Sequence, residues 1–178
     1  MSPTREKFPL SLKKITKKTL LASIFGFFVS DFVFIPASFF IIAGIFGFDA
    51  FNTRAGEMFF YTGVLWLALY IGLIFLIRYY QKWYFSVYYY EITEEFIVIK
   101  KGPITPHEIT IPFARVQDVY VDQDLFDRMF GLYDVHLASA TGASGAEAHI
   151  DGLEKAAADG IKEVLLAIIH KKISGNKN

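Results

Sequence analysis

The chain contains no cysteine. That excludes disulfides, thiolate metal sites and cysteine nucleophiles, and it suits a reducing compartment. There is no net charge, with 18 Lys/Arg against 18 Asp/Glu. The average hides an asymmetry. Residues 1–18 hold six Lys/Arg (Arg5, Lys7, Lys13, Lys14, Lys17, Lys18) against Glu6, whereas residues 82–178 hold ten Lys/Arg against fourteen Asp/Glu. A basic tail beside an acidic domain does not make one nucleic-acid surface, so no nucleic-acid partner is expected. Catalytic signatures are also missing. The stretch Thr141-Gly142-Ala143-Ser144-Gly145 has no following Lys and opens no helix after a parallel strand, which excludes a P-loop. Neither Ser139 nor Ser144 sits in a G-x-S-x-G elbow. No enzyme and no cofactor are expected.

What the chain has in excess is apolar surface. Hydrophobic residues make up 53%, there are 19 Phe, and the mean hydropathy is +0.36. Soluble domains sit at about 45–50% apolar. The excess lies in two runs, Thr19–Phe48 and Met58–Tyr80, separated by the polar stretch Asp49–Glu57. A hydrocarbon core of ~30 Å is crossed by about 20 helical residues, so both runs are long enough. The first is too long for a cleaved signal peptide. They predict a transmembrane helical hairpin over residues 19–80, broken at 49–57.

The flanks orient it. Six Lys/Arg precede the first run, Arg78 lies at the end of the second and Lys82 just beyond it, and only Arg54 lies between the runs. The positive-inside rule then predicts a multi-pass protein of the cell membrane with both termini cytoplasmic. Tyr79, Tyr80, Trp83 and Tyr84 form an aromatic belt at the second exit. Lys13, Lys14, Lys17, Lys18, Arg78 and Lys82 are expected at the membrane surface, against lipid. Asp31 is the one ionisable residue inside the first run; mid-bilayer placement would cost about 2.5–3.5 kcal/mol. It is either an ion, proton or partner site, or it sits near the cytoplasmic end beside Ser30. Pro36 is expected to kink the helix.

From Phe85 the periodicity switches to two, as in strands. Strands are predicted over 85–92, 96–101, 108–111 and 116–121, the last with a bulge near Gln117-Asp118. Leu125, Phe126, Met129 and Phe130 share one face of a short helix, stopped by Gly131 and expected to cap the open end of a barrel. Tyr133–Ser139 and Ala146–Ile150 form a hairpin. Its register opposes Ser139 to Ala146, Ala138 to Glu147, Leu137 to Ala148, His136 to His149 and Val135 to Ile150. The histidine pair can hold a metal with Asp134 or Glu147, or simply face solvent; the adopted reading is no metal. Asp151 and Glu154 resemble a capping box, opening a helix with Ala157, Ile161, Val164, Leu165 and Ile168 on its apolar face.

Together the fold expected is a membrane α-helical hairpin followed by a mostly-β, α+β barrel with a C-terminal helix. The boundaries are 1–18 for a basic segment, 19–80 for the hairpin, 81–172 for the domain and 173–178 for a tail. Tyr90-x-Ile92-Thr93, Ile97-x-Ile99, Gly102, Ile111-Pro112-x-x-Arg115-Val116-Gln117-x-Val119 and Arg128-x-Phe130-Gly131-Leu132 occur in order behind two spans. With them the chain resembles the bacterial pleckstrin-homology-like membrane proteins of YdbS type, over roughly residues 20–170. The resemblance implies a membrane-anchored cytoplasmic PH-like domain without catalytic residues. The turn Glu94-Glu95, where phosphoinositide-binding PH domains are basic, departs from specific phosphoinositide binding. The function expected is a non-enzymatic interaction or scaffold module with a protein partner or a second copy of itself. Gly44, Gly63 and Gly72 allow close helix contact. The alternatives are an accessory subunit of a transport or stress/bacteriocin-resistance system, with Asp31 in its path, or a lipid-sensing domain.

Overall fold

A computed structural model describes residues 3–139 and 148–175 of the chain. It divides into two compact units, one of residues 18–81 and one of residues 1–17 with 82–178.

The first unit belongs to a helical run, α2 (Lys13–Val87), with Pro36 inside it. The run folds back on itself. Phe27 and Trp66 would be ~58 Å apart along a straight helix, yet their rings meet edge-on at 5.6 Å. The Tyr70 hydroxyl donates to the Ser23 carbonyl at 2.7 Å, and Trp66 stacks on Tyr70 at 5.4 Å. The pairs Phe27–Trp66 and Ser23–Tyr70 centre between residues 46 and 47. The predicted break at 49–57 is nevertheless helical. It contains no proline, and apart from Gly56 its polar residues each cost only a few tenths of a kcal/mol in a helix. Two stretches, Lys13–Ser38 and Phe60–Val87, are apolar helices of 26 and 28 residues. At 1.5 Å per residue each exceeds the ~30 Å hydrocarbon thickness.

The second unit holds two antiparallel three-stranded sheets. β1 (Tyr89–Ile92), β2 (Phe96–Lys101) and β3 (His107–Pro112) form one, in that order. β4 (Val116–Asp122), β5 (Tyr133–Ser139) and β6 (His149–Leu153) form the other. Alternate residues turn inward: Tyr90, Ile97, Ile99, Ile111, Val119, Val135, Leu137 and Ile150 are buried. The expected bulge is present, as a register shift between Val116 and Asp118. The hairpin register also holds where described, with Val135 opposite Ile150 and His136 opposite His149. The Leu137 N–H donates to the Ala148 carbonyl at 3.0 Å. The pairings of Ser139 with Ala146 and Ala138 with Glu147, and the loop 140–145, lie outside the described residues.

α3 (Leu125–Phe130) is capped at its start by Asp124, whose carboxylate accepts from the Asp127 N–H. It is ended by Gly131 at φ +65°, a backbone conformation that favours glycine. α4 (Lys155–Gly175) packs against β4, β5 and the 3-10 turn Phe113–Arg115. It buries Ala158, Ile161 and Leu165 completely; each of the larger two contributes about 1.5–3 kcal/mol by burial. Asp151 does not open α4 as expected. It lies in β6, held there by a lysine from the N-terminal segment.

Residues 85–87 are also not the start of a strand, since α2 runs to Val87. The reason is distant in sequence. Arg5, from α1 (Pro3–Lys7), donates to the carbonyls of Phe85, at 3.0 Å, and Tyr88. A guanidinium at the negative helix end satisfies carbonyls that would otherwise lack partners. The basic segment is thus part of the domain. Thr4 accepts from the Ile92 N–H at 3.1 Å, beside β1. The Ser11 N–H donates to the Gly152 carbonyl at 2.9 Å, and Leu10 bridges to Leu153 of β6. Phe8 lies so close over Gly160 of α4 that a Cβ there would come within 2.4 Å of its ring. One short segment therefore touches the outer strand of each sheet and the helix.

Candidate functional site

The lysines of the basic segment converge on carboxylates. Lys14 and Lys17 are three apart on α2 and so share a face. The Lys14 ammonium is 2.7 Å from Asp151 Oδ1, 3.0 Å from the Asp151 carbonyl, and 4.1 Å from the centre of the Tyr88 ring. Lys17 reaches Asp124 Oδ2 at 2.9 Å and Asp127 Oδ1 at 2.5 Å. Its side chain is 6% exposed and that of Asp127 is 1% exposed. Burial raises the Asp124 carboxyl, but the Lys17 ammonium and the Asp127 N–H outweigh it and hold the group below its ordinary value. Lys14 and Lys17, expected at a lipid surface, are therefore interior. Carboxylates within 3 Å offset the desolvation that burial imposes on each ammonium. Among the other cations, Lys13 lies 3.6 Å from Glu154 and is half exposed. Lys18, Arg78 and Lys82 are exposed. Asp31 is half-buried. Its neighbour Ser30 donates to the Phe27 carbonyl at 2.9 Å.

Lys17 also decides how α3 sits. The expected inward face of Leu125, Phe126, Met129 and Phe130 turns in only through Phe126 and Phe130, which are half-buried. Asp127 is buried instead, drawn to Lys17, and Leu125 and Met129 stand 72% and 68% exposed. Arg128, between them on the same side, is exposed too. A buried, unpaired carboxylate costs about 3–5 kcal/mol, on the scale of exposing two apolar side chains.

A polar face forms where β5 crosses its neighbours. The rings of His136 and His149 stack at 5.2 Å with 19° between planes, and His136 stacks on Tyr120 at 5.0 Å. His136 Nε2 turns to Asp122 Oδ1 at 3.1 Å. Asp134 Oδ1 accepts from the Gly152 N–H at 2.7 Å. Burial, with Asp151 and Asp127 nearby, pushes Asp134 up to about 6 despite that bond. Burial and the Lys101 charge push His149 down to about 4. Donor atoms of Asp122, Asp134 and His136 lie within 4.8 Å of one another. The histidines therefore meet as the register requires, but as a stack, and Asp122 rather than His149 approaches His136 Nε2. Asp122 was missed because it lies 14 residues away on β4, with no local spacing to signal it. Glu147 lies outside the described residues.

The turn between β1 and β2 is made by Thr93, whose hydroxyl accepts from the Phe96 N–H at 3.0 Å, and it presents Glu94-Glu95. Lys100, the basic residue nearest by strand position, pairs with Glu108 at 3.0 Å. Such pairing leaves little there for a phosphate.

The sequence has relatives among known proteins. A family model described as the bacterial PH domain matches residues 31–168. Over 112 residues, 63% of this chain, the sequence is 26% identical to the UPF0699 transmembrane protein YdbT of Bacillus subtilis (strain 168). The match spans only 20% of that relative's length. No solved structure matches.

Proposed function

This chain belongs to the bacterial PH domain family, and on that footing we propose that it is a membrane-anchored, non-enzymatic interaction module. Its two apolar helices cross the cell membrane as a hairpin, both termini are cytoplasmic, and the two sheets with α4 form a PH-like barrel at the cytoplasmic face. The observation that carries this reading is the pair of apolar helices, Lys13–Ser38 and Phe60–Val87, of 26 and 28 residues, each long enough to cross the hydrocarbon and paired with the other through contacts such as Phe27 on Trp66. The relative's description as a transmembrane protein supports it, as does the Lys/Arg bias of the flanks.

The module acts by presenting strand edges to a protein partner or to a second copy of the chain. Support comes from the sheet order. β1 and β6 are each contacted along their outer side by the N-terminal segment. β3 ends its sheet and is mostly exposed, which suits strand addition.

The absence of cysteine makes the topology directly testable. Asn52→Cys is expected to react with a membrane-impermeant maleimide in intact cells, and Ser174→Cys only after permeabilisation. The reverse pattern would overturn the orientation. Labelling of both in intact cells would overturn the crossing. Cross-linking in native membranes then reads whether the partner is another protein or this chain.

A further inference from the structure

We infer that Asp122, Asp134 and His136 form a binding site for a divalent transition cation of the zinc class, a clip between β4 and β5 on the outward face of their sheet. The site lies wholly within the domain and is independent of the membrane reading above.

The first observation is an opposition of like charges. Asp122 and Asp134 stand directly opposite each other in the β4–β5 register, and Tyr120 opposes His136 two residues along the same face. Two carboxylates placed directly across from each other destabilise a sheet. The group that meets Asp122 at close range is an imidazole, His136 Nε2 at 3.1 Å, which is a metal ligand in its neutral form.

The second is spacing. Donor atoms of all three residues lie within 4.8 Å of one another. Ligands held by one ion at about 2.0–2.2 Å lie roughly 3–3.5 Å apart, so His136 and Asp122 already have the separation that shared coordination needs. The Asp122 side chain is 53% exposed, so it has room to turn and draw the set together.

The third is that the other two donors are fixed from outside the cluster. β5 is the middle strand of its sheet. The His136 ring is therefore flanked from both sides, by Tyr120 at 5.0 Å and 3° between planes and by His149 at 5.2 Å and 19°. Across from Asp134 the β5–β6 register shifts, so Asp151 and Gly152 together oppose one residue. That irregularity, with Gly152 at φ +81°, brings the Gly152 N–H to 2.7 Å from Asp134 Oδ1 and leaves the other carboxylate oxygen for an ion. Bulges re-aim side chains in this way, and bonds from outside a ligand set orient it for a metal.

The donor set decides the class of ion. Imidazole suits zinc and its transition neighbours, whereas calcium takes about six to eight oxygens. Two carboxylates balance the charge of a divalent cation, and three protein ligands leave a position for water. Bound there, the ion fastens β4 to β5 on either side of the α3 connection.

The test titrates zinc into untagged, metal-stripped, full-length protein in detergent micelles, followed by calorimetry. A single zinc per chain is expected, with a rise in melting temperature that EDTA reverses. Asp122→Asn and His136→Gln are each expected to weaken binding at least about tenfold. His170→Gln, on the exposed end of α4, is expected to leave it unchanged. Melting in EDTA checks that each variant folds. In ring-nitrogen spectra of the natural protein, which need no variant, His136 is expected to shift on adding zinc and His149 to move far less. No saturable binding would overturn the site. Equal affinity in Asp122→Asn and His136→Gln would mean an adventitious ion only and overturn it too. A zinc shift at His149 rather than His136 would overturn the donor assignment, and calcium bound as tightly as zinc would overturn the part given to imidazole.

Discussion

Lys17 is the residue whose loss says most about how this domain is built. Replacing it by Met keeps the aliphatic length but leaves Asp127, 1% exposed, without its ammonium. Asp124 also loses a partner, but at 57% side-chain exposure it turns to water at little cost. Removing one member of a buried pair typically costs 3–5 kcal/mol. Lys17→Met is therefore expected to destabilise the domain by about 3 kcal/mol, which in a domain of this size lowers the melting temperature on the order of 10–20 °C. Asp127→Leu alone leaves Lys17 its bond to Asp124 and costs less, about 1–2 kcal/mol. The double variant buries two apolar chains in place of the pair, and such replacements are often neutral. It is expected within about 1 kcal/mol of the natural protein. The cycle thus predicts a coupling of about 3–6 kcal/mol, measured by thermal unfolding in detergent micelles at low and high salt. Burial predicts little change between the two salts. A Lys17→Met cost below about 1 kcal/mol, or a double variant as unstable as the single, would refute the claim that this pair pins α3.

Two further outcomes are expected. The Asp134 carboxyl sits at about 6 in the fold against an ordinary 3.8. The folded state therefore binds the proton more tightly, and Asp134 takes stability away as pH rises from about 4 to 6. Asp134→Asn keeps an acceptor for the Gly152 N–H and removes the charge. It should stabilise by about 1–2 kcal/mol at pH 7 and by nothing near pH 4. Comparing the two proteins at each pH cancels the opposite contribution of His149, whose lowered value takes stability away as pH falls. A gain that does not change with pH would contradict the burial argument. Gly152 has φ +81°, and a Cβ there would lie 2.5 Å from Lys14 Cδ, whereas Gly131 at φ +65° faces open space. Gly131→Ala is expected to cost about 1–2 kcal/mol from backbone strain alone. Gly152→Ala is expected to cost at least about 1 kcal/mol more, because Lys14 must shift away from Asp151. Equal melting temperatures for the two would remove Lys14 packing from the account.

The strands were legible in the sequence because each buries one face. Alternation at Ile97 and Ile99, and at Val135 and Leu137, gave β2 and β5 with their ends as observed. The bulge near Gln117-Asp118 followed from one failed alternation, and the pairing of His136 opposite His149 from hairpin register. These are local rules with period two, and a one-residue slip would expose a whole face. The apolar runs were legible for a similar reason: the count of consecutive apolar residues is itself the signal.

What the chain alone could not display was which partner each charge finds. Arg5, Lys14 and Lys17 look in sequence like one solvated basic tail, yet their partners lie 80 to 137 residues away. That choice extends α2 to Val87, keeps Asp151 in β6 and buries Asp127 of α3, because a buried charge accepts only a compensated place. Apolar patterning, summed over many equivalent residues, determined the two apolar helices and the sheets. The few ion pairs, each depending on a single distant carboxylate or carbonyl, were decided by the tertiary structure.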